Sequence, residues 1–338
     1  MDDATTPAPR EQGLWRLVLA LLAAFIVPAV PLLRPLLPVE RMVVLVVPGL
    51  AACALVGWWR GGRGGIALSW VLLAAWLAAS LVRTGSAFDR LAAGWGVLVA
   101  AVFGVVCVVT GVRPILGRAL AAVGLALVVS MMALALGDGT ATQARRVAQA
   151  EFERRAGQSL AQWDANVRTP EWRDLTTRNP DLAEMEDRMR EQLDALPAAG
   201  IVALPAVLAL ETLAALALAW ALFHRLSRTR IGPPLARLRE FRFNDQLVWG
   251  LVVGITLLVL PALAELREAG INLIVFFGAL YLLRGFGVLT WFLAPRGLAL
   301  ALLFAMVLLA PPLVGAAALW FGLGDTWFDW RSRPRSTT

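Results

Sequence analysis

The chain contains no lysine, one histidine, one tyrosine and two cysteines. A lone histidine, His224, supplies neither a set of metal ligands nor, at its position beside Arg225, a base for a catalytic triad. Cys53 and Cys107 form no CxxC pair and no zinc spacing. P-loop, HExxH and GxSxG motifs are absent, as is a pair of aspartates within the apolar runs. We therefore expect a protein that is not an enzyme and uses no metal or cofactor.

Charged residues are scarce, at 16% of the chain against 59% hydrophobic residues. The mean hydropathy of +0.70 is too high for a soluble domain. The net charge of +7 does not indicate nucleic-acid binding, because the 31 basic residues collect at the ends of apolar runs instead of forming one patch. The partner predicted by composition is the lipid bilayer.

Long apolar runs are the dominant feature of the sequence. Each is about as long as the 20 or so helical residues that cross a hydrocarbon core. The runs cover residues 14–33, 42–59, 65–82, 91–110, 115–137, 199–224, 246–264, 271–293 and 298–322. They predict an all-α polytopic transmembrane helical bundle with eight or nine spans. The first run is expected to be a retained span, because the acidic N-terminus lacks the positive region of a secretory signal.

Arginine placement predicts the orientation. With the N-terminus in the cytoplasm, the inner segments hold thirteen arginines and the short outer loops hold five. This distribution predicts a multi-pass protein of the bacterial inner membrane. Nine spans would place the basic tail RSRPR (residues 331–335) outside, against the same rule. Either the last run does not cross fully, or an earlier run is re-entrant.

The polar segment 138–198 separates five predicted spans in residues 1–137 from about four in residues 199–338. It holds twelve acidic residues and nine arginines. Its two helical stretches, divided by Asn179-Pro180, predict an extracytoplasmic helical hairpin that lies on the membrane surface. A solvated connector and a protein-binding surface both fit this composition.

Two charges lie near the middle of apolar runs, Glu211 in the sixth and Arg284 in the eighth. Each lies twelve or thirteen residues from the outer end, so both are expected roughly 18–20 Å below the outer surface. A charge at this depth is usually paired or functional. We expect the two side chains to pair, either as a structural ion pair or as a site for an anion, a proton or a cation.

Tyr281 precedes Arg284 by one helical turn. Gly278 and Gly285 are seven residues apart and therefore lie on the same helix face. The predicted midplane ligand site therefore comprises Glu211, Tyr281, Arg284 and Gly285. Close helix packing at the glycines is the alternative interpretation.

The loop 224–242 is rich in arginine. Its expected role is to hold the topology at anionic headgroups. Docking of a cytoplasmic or membrane protein through Arg237, Arg239 and Arg242 is the more specific interpretation.

The order of features in the last 140 or so residues resembles a known family. The stretches are 196–226 followed by the basic loop, LREFRFNDQLVWG (238–250) and GINLIVFFGALYLLRGFGVLTWFLAPRG (270–297), with a Gly-rich turn WWRGGRGG at 58–65. They resemble the YybS-like family of bacterial multi-pass membrane proteins, similar in character to substrate-binding components of vitamin transporters. Asn244 stands where the family tends to have proline, and Arg284 where it tends to have an uncharged polar residue, so a pair at Arg284 would be particular to this chain.

Two functions from different classes are consistent with these features. The buried charges favour a non-enzymatic transport or small-molecule-binding membrane component with a midplane polar site. The long polar insertion and the basic loop favour a membrane scaffold or assembly subunit that recruits envelope or cytoplasmic proteins. Neither predicts the oligomeric state.

Overall fold

The structure is a computed structural model and describes residues 42–293, 306 and 310–332. Within these ranges the secondary structure is helical and no strand occurs. The α-helices are α1 Met42–Trp59, α2 Gly64–Thr84, α3 Ala87–Val109, α4 Ile115–Leu136, α5 Thr140–Val167, α6 Pro170–Arg178, α7 Pro180–Leu226, α8 Val248–Val259, α9 Arg267–Leu293 and α10 Pro311–Phe328. Short 3-10 turns cover Leu238–Glu240, Asp245–Leu247, Pro261–Leu266 and Trp330–Ser332.

Six helical stretches in the described ranges are long and apolar enough to cross a membrane. They are α1 to α4, Asp181–Leu226 within α7, and Pro261–Leu293, which includes α9. The predicted run 14–33 lies outside the described residues, as does most of 298–322. The run 246–264 forms only the 12-residue α8 before a 3-10 turn. At about 1.5 Å per residue α8 is too short to cross a core about 30 Å thick.

Local sequence explains where several helices begin. Ser86 and Asp89 form a capping box at the start of α3, each side chain bonding the other residue's main-chain N–H. Asn179 caps α7, and Pro180 follows at the first helical position, where its missing N–H costs nothing. The cap at Ser86 lies at the start of an apolar helix, whereas the cap at Asn179 lies at the start of the polar part of α7.

Helix α7 is the central element of the bundle, because α1, α4 and α5 pack against it and α9 packs there as well. The main core lies between α1, α3, α4 and α7. Within it Phe103 and Trp220 meet edge to face, with ring centroids 6.3 Å apart. The buried indole N–H of Trp95 donates to the hydroxyl of Thr212 at 2.9 Å, which joins α3 to α7.

The polar segment forms a hairpin that is continuous with the bundle. Helix α7 contains 47 residues and is therefore about 70 Å long, so its polar first part runs without a break into its apolar second part. Phe152 on α5 and Leu193 and Leu196 on α7 are buried, which gives the hairpin a small core that the sparse apolar pattern did not predict. Its placement on the membrane surface stays a prediction.

Asn272 of α9 binds α7 beside the internal Pro205. Its side-chain oxygen accepts from the N–H of Ala206 at 2.9 Å, and its side-chain nitrogen donates to the carbonyl of Val202 at 2.7 Å. In a regular helix the N–H of Ala206 would donate directly to the carbonyl of Val202, four residues earlier. Here the Asn272 side chain binds both groups, next to Pro205, which disturbs the hydrogen bonds of the helix. The contact also fixes the register between α7 and α9.

Candidate functional site

Four arginine-bearing loops meet at one end of the bundle, named here the arginine-rich end: residues 60–63, 110–114, 227–247 and 329–332. The guanidinium of Arg60 donates to the carbonyl of Ile231 at 2.7 Å. The guanidinium of Arg331 donates to the carbonyl of Phe241 at 2.8 Å.

The start of the basic tail therefore lies beside the basic loop. This corrects the nine-span expectation, which put the tail on the opposite side. The described start of the basic tail thus lies on the same side as the basic loop, as the preference of arginine for one side of a membrane favours.

A compact group of charges lies at this end between α9, α10 and the loop before α8. We name it the Arg284 cluster; it consists of Arg284, Asp245, Asp325 and Arg331. Arg284 donates from Nε to Asp325 Oδ2 at 2.9 Å and from Nη1 to Asp245 Oδ1 at 2.6 Å. Its Nη2 donates to the main-chain carbonyl of Asp325 at 3.2 Å. Every nitrogen of the guanidinium thus has an acceptor.

Asp325 is the centre of the cluster. Arg331 donates to its two carboxylate oxygens, from Nη2 to Oδ2 at 2.5 Å and from Nε to Oδ1 at 3.3 Å. The side chains of Arg284 and Arg331 are each 3% exposed and that of Asp325 is 0% exposed, whereas Asp245 is 59% exposed. Two arginines and two aspartates balance in charge, and only one of the four side chains is open to solvent.

Aromatic side chains cover the buried part of the cluster. Phe243 lies under the guanidinium of Arg284, 5.2 Å from ring centroid to Cζ, and meets the ring of Tyr281 edge to face at 5.0 Å. Tyr281 and Arg284 therefore both contact Phe243, and their shared ligand site stays a prediction. The hydroxyls of Tyr281 and Thr326 are buried, and neither makes a hydrogen bond of good geometry with the described residues. The two hydroxyls lie close to each other and beside the charges of the cluster.

The predicted pairing of Glu211 with Arg284 is wrong, because the partners of Arg284 are Asp245 and Asp325. The register explains the difference. Both α7 and α9 run towards the arginine-rich end, and Asn272 contacts Ala206. Glu211 lies five residues beyond Ala206, but Arg284 lies twelve beyond Asn272, so Arg284 is roughly 10 Å further along. Equal depth, estimated from the ends of the apolar runs, was the faulty step.

Gly285 lies in a helix contact and does not line a cavity. A methyl group there would overlap the carbonyl of Ala318 and touch the main chain of Gly322, so α9 and α10 meet backbone to backbone. At Gly278 the corresponding position is open space. The packing interpretation is therefore correct for Gly285, and its assignment as a ligand-binding residue is corrected.

The three arginines of the basic loop have different surroundings. Arg242 forms an ion pair with Asp329 at 2.6 Å, and Arg239 lies 3.4 Å from its neighbour Glu240. Arg237 is exposed. Arg242 thus ties the loop to the end of α10, and Arg237 lies on the exposed surface of the loop.

Sequence reasoning missed Asp245, Asp325 and Arg331. Each lies one to nine residues beyond the end of a predicted span, where a charge is ordinary and attracts no attention. The available signal was the apolar context of Asp325, which the sequence LWFGLGDTWFDW surrounds with aromatic residues. Such a carboxylate requires a cationic partner if it is buried.

Comparison with known proteins adds no identity. No protein-family model, no curated protein and no solved structure matches the chain. The resemblance to the YybS-like family therefore stays a prediction. Among the described residues, no group of three or more histidine, cysteine, aspartate or glutamate side chains is placed to hold a metal ion.

Proposed function

We propose that this integral membrane protein is a transport or small-molecule-binding component and that the Arg284 cluster binds an anionic group of its ligand. The observation that carries the proposal is the uneven burial of the two aspartates. Asp325 is fully buried, whereas Asp245 is 59% exposed on a loop. Charged residues inside apolar helices commonly mark substrate or ion pathways.

Asp245 acts as a replaceable carboxylate in this proposal. It occupies Nη1 of Arg284 from the solvent side, at 2.6 Å, while Asp325 and Arg331 hold the rest of the cluster from within. A carboxylate or phosphate of a ligand offers the same acceptor geometry to an arginine. When it displaces Asp245, the ligand takes over the charge balance, and the buried hydroxyls of Tyr281 and Thr326 lie close to the cluster. Loop 238–247 then moves with Asp245, so that ligand binding changes the conformation of the arginine-rich end.

The experiment compares anion binding by the wild-type protein and the Asp245→Asn variant, purified in detergent. Small carboxylates and inorganic phosphate are the probes, and thermal unfolding is the readout. Loss of the competing carboxylate should tighten anion binding and raise the midpoint more in Asp245→Asn than in the wild type. Glu240→Gln is the control, because Glu240 is an exposed carboxylate of the same loop that does not touch Arg284. An Asp245→Asn protein that no anion stabilises would refute the proposal.

A second candidate function, a scaffold that recruits envelope or cytoplasmic proteins, rests on the hairpin of α5, α6 and the first part of α7. Its two long helices share a small core, so it is a preformed surface and not a loose connector. Wild-type protein and a variant with residues 141–196 replaced by a short flexible linker are to be compared by pull-down. Proteins that co-purify stoichiometrically with the wild type alone favour the scaffold. Their absence from both leaves the transport proposal.

A further inference from the structure

A second group of charges at the arginine-rich end contains no acidic residue. Arg60 follows α1, and Arg118 lies in the first turn of α4. Both donate to the carbonyl oxygen of Ile231, at 2.7 and 3.3 Å. Arg60 also donates to the carbonyl of Cys107 at 3.3 Å, and Arg118 to that of Arg113. Within the part of the chain that the structure describes, these acceptors are uncharged: they are main-chain carbonyls and, for Arg118, also the side chain of Cys107.

The positive charge of this pair is not neutralised by the described residues. Arg118 is 2% exposed, and its Nε is buried without a hydrogen-bond partner among them. Its guanidinium stacks on the ring of Trp220, 4.7 Å from the centroid, which stabilises a cation but supplies no countercharge. Two guanidinium groups that share one carbonyl oxygen repel each other, and burial strengthens the repulsion. The arrangement favours a bound anion.

The turn between α3 and α4 gives such an anion access. Val112 is 72% exposed, and Arg113 is exposed beside it. The N-cap residue Pro114 makes no side-chain cap, so the first N–H groups of α4 lack that acceptor. Beside Gly117, in this first turn, a Cβ would meet nothing within 4 Å. Open space, orphan N–H groups and arginine side chains therefore adjoin one another.

We infer that Arg60, Arg113 and the first turn of α4, above the buried Arg118, bind the phosphate of an anionic phospholipid. Arginine and helix N-terminal N–H groups are the common protein ligands of phosphate. A lipid is favoured over free phosphate because Val109 and Val112, 78% and 72% exposed, offer apolar surface to an acyl chain at the same turn. Arg118, which is buried, attracts the phosphate through its positive charge and does not contact it directly. This site is separate from the Arg284 cluster and does not depend on the function proposed for it.

The test measures lipid binding to the purified full-length protein by native mass spectrometry in detergent. Phosphatidylglycerol and phosphatidylcholine are the probes. Phosphatidylglycerol should bind preferentially, and Arg60→Gln and Arg113→Gln should each weaken it about fivefold, since one basic side chain near an anionic lipid contributes about 1 kcal/mol. The control is Arg90→Gln, an exposed arginine at the other end of α3, which should bind as the wild type does. Arg113→Gln removes only an exposed side chain and carries the test if Arg60→Gln does not fold.

Three outcomes would overturn the inference. They are equal binding of the two lipids, an equal loss in Arg90→Gln and Arg113→Gln, and complete competition by millimolar inorganic phosphate. The last would identify a site for free phosphate instead of a lipid. Preferential binding that Arg113→Gln weakens and Arg90→Gln does not would support the lipid site.

Discussion

Replacing Asp325 by asparagine should destabilise the protein more than any other single change of a carboxylate in the Arg284 cluster. The substitution keeps the size of the side chain and removes its charge. Asp325 is 0% exposed and accepts from both Arg284 and Arg331, so two guanidinium groups lose their buried countercharge. Removing one partner of a buried pair costs about 3–5 kcal/mol, and the oxygen that asparagine retains places the expected loss near the lower end.

Asp245→Asn is the matched comparison, because it is the same chemical change on the same arginine. Asp245 is 59% exposed but its partner Arg284 is only 3% exposed, so this half-buried pair should contribute about 1–2 kcal/mol, between an exposed pair and a buried one. Equilibrium unfolding in mixed micelles, followed by intrinsic fluorescence, gives the free energy of unfolding of each variant. The expected difference between the variants is at least about 1 kcal/mol. Equal losses would refute the claim that burial at Asp325 holds α9 and α10 together.

Two further predictions test how the helices meet. Gly285→Ala should lower the free energy of unfolding by about 1–3 kcal/mol, because the added methyl overlaps the main chain of α10, whereas Gly278→Ala, which points into open space, should not. Equal effects in thermal unfolding would contradict the close contact. Asn272→Asp should cost about 1–3 kcal/mol, because a carboxylate cannot donate to the carbonyl of Val202. Asn244→Asp is its control, since a carboxylate still caps the N–H of Gln246 and the donor that is lost serves only the exposed side chain of Gln246; similar losses would count against the bridge.

Much of the helical architecture could be predicted from the sequence. The runs 42–59, 65–82, 91–110 and 115–137 correspond to α1 to α4 within a few residues, because each run is bounded by polar residues, glycine or proline. Hydropathy indicates which segments can lie in the membrane, however, and does not show where a helix begins or ends. It therefore divided α7 near residue 198, although the helix continues through Pro197.

The candidate site was only partly predictable. Arg284 and Tyr281 were identified because a charge and a lone tyrosine stand out in an apolar run. Asp245 and Asp325 were missed because they pair with Arg284 from positions 39 and 41 residues away in the sequence. Composition and helical periodicity describe neighbours within one helix and carry no information on such long-range contacts. Glu211 was predicted as the partner because the ends of the apolar runs place it and Arg284 at the same depth, whereas the contact between α7 and α9 does not.

The most direct test of the central claim is a pair of double-mutant cycles on Arg284. One cycle combines Arg284→Gln with Asp325→Asn and the other combines it with Glu211→Gln, and unfolding free energies are measured for all variants. We expect a coupling energy of about 1.5–3 kcal/mol between Arg284 and Asp325, and one below about 0.5 kcal/mol between Arg284 and Glu211. Strong coupling to Glu211 with none to Asp325 would contradict the account, because the buried guanidinium would then have another partner.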